Sequence, residues 1–101
     1  MTRGGTVYIM TNKTHSVLYV GVTSELLTRV YDHKNKKAPQ CFTAKYNCNK
    51  LVYHFSYSTI NETIGREKYL KGKGRQFKNN LINEFNPLWK DLYDELVIEW
   101  A

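Results

Sequence analysis

Glu67 stands where an acidic residue is costly. Projected at about 100° per residue, the helix predicted around it carries Ile60, Ile64 and Leu70 as an apolar stripe, and Glu67 falls between Ile64 and Leu70. A carboxylate on a buried side must be neutralised, paired or bound to a metal. Magnesium commonly takes one or two protein carboxylates and fills its other positions with water and phosphate oxygens. One inward Glu is thus a complete protein contribution to a Mg²⁺ site acting on a phosphodiester. Arg29 and His33, at i and i+4 of an earlier helix, lie away from Leu26 and Leu27. Arginine offers a planar fork to phosphate oxygens, and histidine moves a proton near neutral pH. Tyr8 and Tyr19, on adjacent predicted strands, add two phenols.

Each of these features also has a plainer reading. Glu67 could pair with Arg66, Lys71 or Arg29, or snorkel at the stripe's edge. Arg29 and His33 could be a solvated basic face, and the two tyrosines ordinary cross-strand packing. Spacing alone favours these plainer readings for each feature taken singly.

The elements that must position these residues follow from local pattern. Thr6–Met10 and Val17–Val20 are β-branched and aromatic, and the polar stretch between them predicts a hairpin. Alternation sets Val7 and Ile9 against Tyr8, and Val17 and Tyr19 against Leu18 and Val20; Gly21 should end the second strand. Thr23 or Ser24 should cap a helix from Glu25 to Lys34, buried through Leu26, Leu27, Val30 and Tyr31. Residues 35–49 read as a loop. Lys50–Tyr57 reads as a third strand, its continuous apolarity placing it centrally. Thr59-Ile60-Asn61-Glu62 has the form of a capping box and starts a helix that fails by Gly72 or Gly74. Another helix spans Arg75 to Phe85, with Phe77, Leu81 and Phe85 repeating at i, i+4, i+8. A helical turn over Leu88–Tyr93 and an extended Leu96–Ile98 complete the order β-β-α-β-α-α plus a C-terminal tail. The predicted fold class is α+β, a small three-stranded antiparallel sheet flanked by helices.

At 101 residues the chain fits one domain, 1–101. A hydrophobic content of 42% supports a small core and argues against disorder. No apolar run approaches the ~20 residues of a bilayer helix, which excludes a membrane span. The first residues lack the apolar stretch of a secretory signal, so a cytoplasmic location is expected. The net charge of +6 is uneven: residues 1–83 hold 14 bases and four acids, whereas residues 84–101 hold Lys90 and five acids. A basic body suits a polyanion such as nucleic acid, although a lysine-rich soluble surface accounts for the charge equally well. Cys41 and Cys48 form no C-x-x-C pair, which argues against a zinc knuckle or disulfide framework. Both read as reduced and structural or incidental.

Together, Tyr8, the run Tyr19-Val20-Gly21, Arg29, His33, the segment Arg66-Glu67-Lys68 and Asn86 resemble the ordered signature of the GIY-YIG nuclease superfamily. Asn86-Pro87-Leu88-Trp89-Lys90-Asp91-Leu92 is similar to the C-terminal segment of its small single-domain bacterial branch. The resemblance implies divalent-metal-dependent cleavage of a nucleic-acid phosphodiester, DNA more readily than RNA. It implies Tyr19 as the general base, Tyr8 as a hydrogen-bonding partner that orients water, and Arg29 as the phosphate clamp. Glu67 would bind one Mg²⁺ or Mn²⁺. His33 would transfer a proton or orient phosphate, and Asn86 would support the site by hydrogen bonding. A phenol ionises near pH 10, so a tyrosine base needs neighbouring positive charge, which Arg29 and a bound dication supply.

Lys34, Lys36, Lys37, Lys71, Lys73 and Arg75, with Lys45 as a weaker candidate, are the expected nucleic-acid-binding residues. Phosphate contacts position without specifying, so low sequence specificity is expected, with structure-selective work in repair or recombination and targeting by a protein partner. The first motif departs from the family's Gly-Ile-Tyr as Thr6-Val7-Tyr8, and Thr6 matters if a glycine is needed there for close backbone approach. The alternative function is a non-catalytic nucleic-acid-binding module on the same fold. A third reading is a protein-interaction surface built on Trp89, Tyr93 and Trp100, three residues that also suit core packing.

Overall fold

The computed structural model describes residues 4–36, 38 and 41–100. Strands β1 (Gly5–Thr11), β2 (Leu18–Thr23) and β3 (Lys50–Tyr57) form one antiparallel sheet in the order β2-β1-β3. Helices α1 (Leu26–Lys34) and α2 (Phe42–Lys45) lie between β2 and β3. Helices α3 (Ile60–Lys71), α4 (Arg75–Phe85) and α5 (Tyr93–Trp100) follow β3. The expected α+β class and the antiparallel three-stranded sheet are both present.

The pleat distributes side chains as alternation requires. Tyr8, Met10 and Leu51 join Leu26, Val30, Leu92 and Leu96 in one core cluster, with Val17 and Tyr19 packed against it. Val7, Ile9, Val20 and Val52 join Leu70 and Ile82 in the other. The sheet is thus covered by α1 and α5 on one face and by α3 and α4 on the other.

Several expectations are corrected. The helical turn expected over Leu88–Tyr93 does not form, since residues 89–92 are irregular and α5 begins only at Tyr93. The central strand is β1, all seven of whose residues are buried; β3 is an edge strand, paired with β1, and its apolar run ends with Phe55 50% exposed and Ser56 in solvent. Gly21 lies within β2 and does not end it, since the strand pairs on through Val22 and Thr23. Residues 42–45 form a helical turn inside the expected loop. Leu96–Ile98 is helical, its Leu96 buried and Ile98 exposed in the manner of an amphipathic helix.

The signals that bound α3 behave as read, whereas those of α1 do so only in part. The Thr59 hydroxyl accepts from the Glu62 amide at 3.2 Å and donates to the Glu62 carboxylate at 3.0 Å, and Gly72 caps the far end of α3. Helix α1 begins at Leu26 with no side-chain cap on its own N-cap residue, the Thr23 hydroxyl accepting from the Glu25 amide instead. Tyr31 is half exposed and not part of the buried side. Trp89 and Tyr93 pack against the two core clusters, and the Trp100 side chain lies outside the described residues. No helix among the described residues is long and apolar enough to cross a membrane.

Candidate active site

Tyr8 lies on the central strand directly opposite Gly21 of β2. Facing residues of an antiparallel pair project their side chains to the same side, and the missing side chain at Gly21 is the space the Tyr8 ring occupies. A Cβ at Gly21 would overlap the Tyr8 Cζ and Oη atoms. The second motif's glycine therefore serves close approach of the phenol, whereas Thr6 fits without difficulty and bonds across the sheet to the Ser56 hydroxyl at 2.9 Å. Tyr19, two residues along β2, sits diagonally from Tyr8 with ring centroids 6.2 Å apart.

The Tyr8 phenol, 1% exposed, lies 2.9 Å from His33 Nε2. His33 also meets the Tyr19 ring edge-on at 5.5 Å. Its other nitrogen, Nδ1, lies 2.8 Å from the Thr43 hydroxyl, which in turn lies 3.1 Å from Cys41 Sγ. Phe42 stacks on Tyr19 at 5.9 Å. Around these groups is a cavity of about 370 Å³ whose lining includes Tyr19, Arg29, His33, Lys36, Cys41, Phe42 and Thr43.

Burial holds the pKa of Tyr8 far above the ordinary phenol value, with the Tyr19 phenol and the Glu67 carboxylate adding to the rise and the Arg29 guanidinium opposing it. His33 is held below its ordinary value by burial and then by Arg29, against Asp32. Cys41 is lowered, first by its hydrogen bond with Thr43, whereas burial raises Cys48.

Glu67 turns inward, though on a different stripe from the one expected. Ile60 and Ile64 are each 37% exposed, and the buried residues of α3 are Thr63 and Leu70. Glu67 lies four residues after Thr63 and three before Leu70, on the side facing the sheet. Its side chain is 16% exposed and pairs with Lys71, one turn on, at 3.3 Å. Gly5 lets α3 lie close to β1, since a Cβ there would meet Ile60 Cδ1 at 2.6 Å and Thr63 Oγ1 at 2.7 Å.

Tyr8, Tyr19, Arg29 and His33 therefore meet at one cavity; Glu67 faces the sheet from α3 with Lys71 as its ion-pair partner, and Asn86 does not join them. Its amide donates to the carbonyls of Val52 and Lys90 at 3.2 and 2.8 Å and accepts from the Lys90 amide at 3.3 Å. It lines a separate cavity with His54, Phe85 and Leu96 and fastens the 86–90 turn to β3.

The expected phosphate contacts divide. Lys34 is held by Asp91 and by the Asn49 carbonyl, and Arg75 by the carbonyls of His15 and Ser16, so both tie the fold together. Lys36 is exposed, and its ammonium bonds the neutral Asn47 side chain at 2.7 Å. Lys45 is exposed on α2, Lys71 pairs with Glu67, and Lys73 lies over the Tyr69 and Phe77 rings. Lys37 lies outside the described residues. Thr43, Phe42 and Cys41 enter the site without having been singled out as site residues, because a four-residue helix is too short to show periodicity.

A sequence model of the GIY-YIG catalytic domain matches residues 4–83. The chain belongs to the GIY-YIG nuclease family. It is 37% identical over 78 residues, 75% of its length and 73% of the relative's, to the UPF0213 protein in the VLF1-GP41 intergenic region of Autographa californica nuclear polyhedrosis virus. Its fold is similar to the solution NMR structure of a UPF0213 protein from Bacillus halodurans, with TM-score 0.55 and 23% identity over 87% of this chain and 92% of that one. The GIY-YIG match ends before Asn86 and α5, and so contains Tyr8, Tyr19, Arg29, His33 and Glu67.

Proposed function

We propose that this protein is a divalent-metal-dependent endonuclease that hydrolyses DNA phosphodiesters with little sequence preference and acts on branched or flapped structures. The observation that carries the reading is the buried Tyr8 phenol, which lies 2.9 Å from His33 and 6.2 Å, ring to ring, from Tyr19, beside the cavity that Tyr19, His33 and Arg29 line.

The donor set fits a hard dication. No group of three or more His, Cys, Asp or Glu side chains suited to a metal occurs among the described residues, but Mg²⁺ needs only one or two protein carboxylates. Glu67 would hold Mg²⁺ or Mn²⁺, and its partner Lys71, half exposed, is free to swing away. Such an ion supplies Lewis acidity at the phosphoryl and leaving oxygens. Arg29, exposed at the cavity wall, binds non-bridging phosphate oxygens and stabilises their growing charge. Tyr19 takes the proton of the attacking water, Tyr8 orients that water through its phenol, and His33 receives or returns a proton through Tyr8. Lys36, Lys45 and Lys73 contact backbone phosphates, which position the strand without reading its sequence. A protein partner would supply targeting.

The test is cleavage of branched, flapped and linear DNA in Mn²⁺ by the wild type, Glu67→Ala and Tyr19→Phe. Losing a positioned acid–base group costs about 100-fold or more, and equal trace activity in all three proteins sinks the proposal. The Glu67–Lys71 ion pair favours a second reading, a binding module that carries no metal. Divalent titration followed by NMR separates the two, since a Glu67 signal unmoved by Mg²⁺ or Mn²⁺ supports the module.

A further inference from the structure

Thr43 is 3% exposed on the short helix α2, and among the described residues its hydroxyl bonds two groups whose protons matter. A neutral imidazole carries one N–H and one lone pair, and the partner of one nitrogen decides the state of the other. Burial and Arg29 keep His33 neutral near pH 7. The buried Tyr8 hydroxyl needs an acceptor, and His33 Nε2 lies 2.9 Å away. On the other side, Thr43 has one proton and two neighbours, His33 Nδ1 at 2.8 Å and Cys41 Sγ at 3.1 Å. Either atom of the Thr43–Cys41 pair can donate; with the Nε2 lone pair taken by Tyr8, Nδ1 carries the ring proton, and the Thr43 hydroxyl points its own proton at sulfur. The Thr43 oxygen is then left as an acceptor.

We infer that Thr43 is a positioning residue that accepts the Nδ1 proton of His33 and so turns the bare Nε2 lone pair of that ring toward the Tyr8 phenol. The inference rests on the nuclease reading for its purpose. With Nε2 bare, Tyr8 donates inward to His33 and keeps its oxygen lone pairs for Tyr19 or water. With Nε2 protonated the chain runs in reverse, and Tyr8 must donate outward. Thr43 touches neither phosphate nor water in this scheme and acts only through His33.

Long-range proton–nitrogen correlation spectra of the His33 ring at pH 7.5 read the tautomer directly, with no need for activity. The wild type and Thr43→Ser are expected to show Nδ1–H, and Thr43→Val to shift toward Nε2–H. A wild-type ring protonated at Nε2 overturns the inference even if Thr43→Val fails to fold, and so does an unchanged tautomer in a folded Thr43→Val protein. In the Mn²⁺ cleavage assay, Thr43→Val should lower kcat about tenfold, less than the roughly 100-fold of a lost acid–base group, and Thr43→Ser should restore it. An altered tautomer with unchanged kcat also overturns the positioning role. Wild-type protein that cuts no DNA sinks the nuclease reading instead, while the tautomer still decides what Thr43 does.

Discussion

Gly21 faces Tyr8 across the β1–β2 ladder, and its missing side chain is where the phenol lies. Gly21→Ala should therefore displace the Tyr8 ring and lower stability by about 1–3 kcal/mol, the cost of overpacking a filled core, measured by urea denaturation. Its effect on cleavage should exceed what that loss of stability explains, because the displaced phenol leaves His33. A second residue-scale consequence concerns protons. Burial lowers His33 and His54, and His15 shifts the same way, so below about pH 6.5 the unfolded chain binds protons that the folded chain resists. Stability is therefore full above that pH and falls as the pH drops toward the depressed folded values. Melting temperature should decrease between pH 7.5 and 5.5, and His33→Gln should flatten that decrease; an unchanged slope would show that His33 is not involved.

At the scale of elements, Asp91 joins three of them just ahead of α5. Its carboxylate accepts from the Leu51 amide of β3 and from the Tyr93 amide, each at 3.1 Å, and pairs with Lys34 of α1. Asp91→Ala should cost about 1–3 kcal/mol, the range for leaving buried donors or a charge without a partner, and should free Lys34. Calorimetry checks the first consequence, and faster amide exchange in α5 checks that this helix loosens first. The same tie explains why Lys34 is unsuited to phosphate, although in sequence it stands beside Lys36 in one basic run.

For the whole molecule, the division of cations predicts how DNA binding responds to salt. Removing one cation that neutralises a phosphate should reduce the slope of log K against log salt by about 1. Lys36→Ala and Lys73→Ala should each do so. Lys34→Ala should leave the slope nearly unchanged and act through stability, as measured by fluorescence anisotropy at several salt concentrations. An equal slope change in all three would mean that the fold-internal role of Lys34 does not hold in solution.

Much of this was legible because local chemistry decides it. The Thr59–Glu62 cap, the 75–85 helix and the alternation that sets Tyr8 against Val7 and Ile9 depend on neighbours within a few residues. So does the order of the motif residues, and that order alone pointed to the family. Long-range pairing decided the rest. Which strand is central depends on what covers it, and β3 is apolar enough to be misread until β1 is seen between its neighbours. Helical projection turned Glu67 inward but gave it the wrong companions: Thr63 and Leu70 are buried, not Ile60 and Ile64, because the side of α3 that meets the sheet is set by its close approach to β1 at Gly5. Asn86 and Asp91 lie in one short segment, yet main-chain groups distant in sequence give both of them structural work. Thr43 reaches the site only because α1 and α2 fold against each other and bring its hydroxyl to a histidine ten residues earlier.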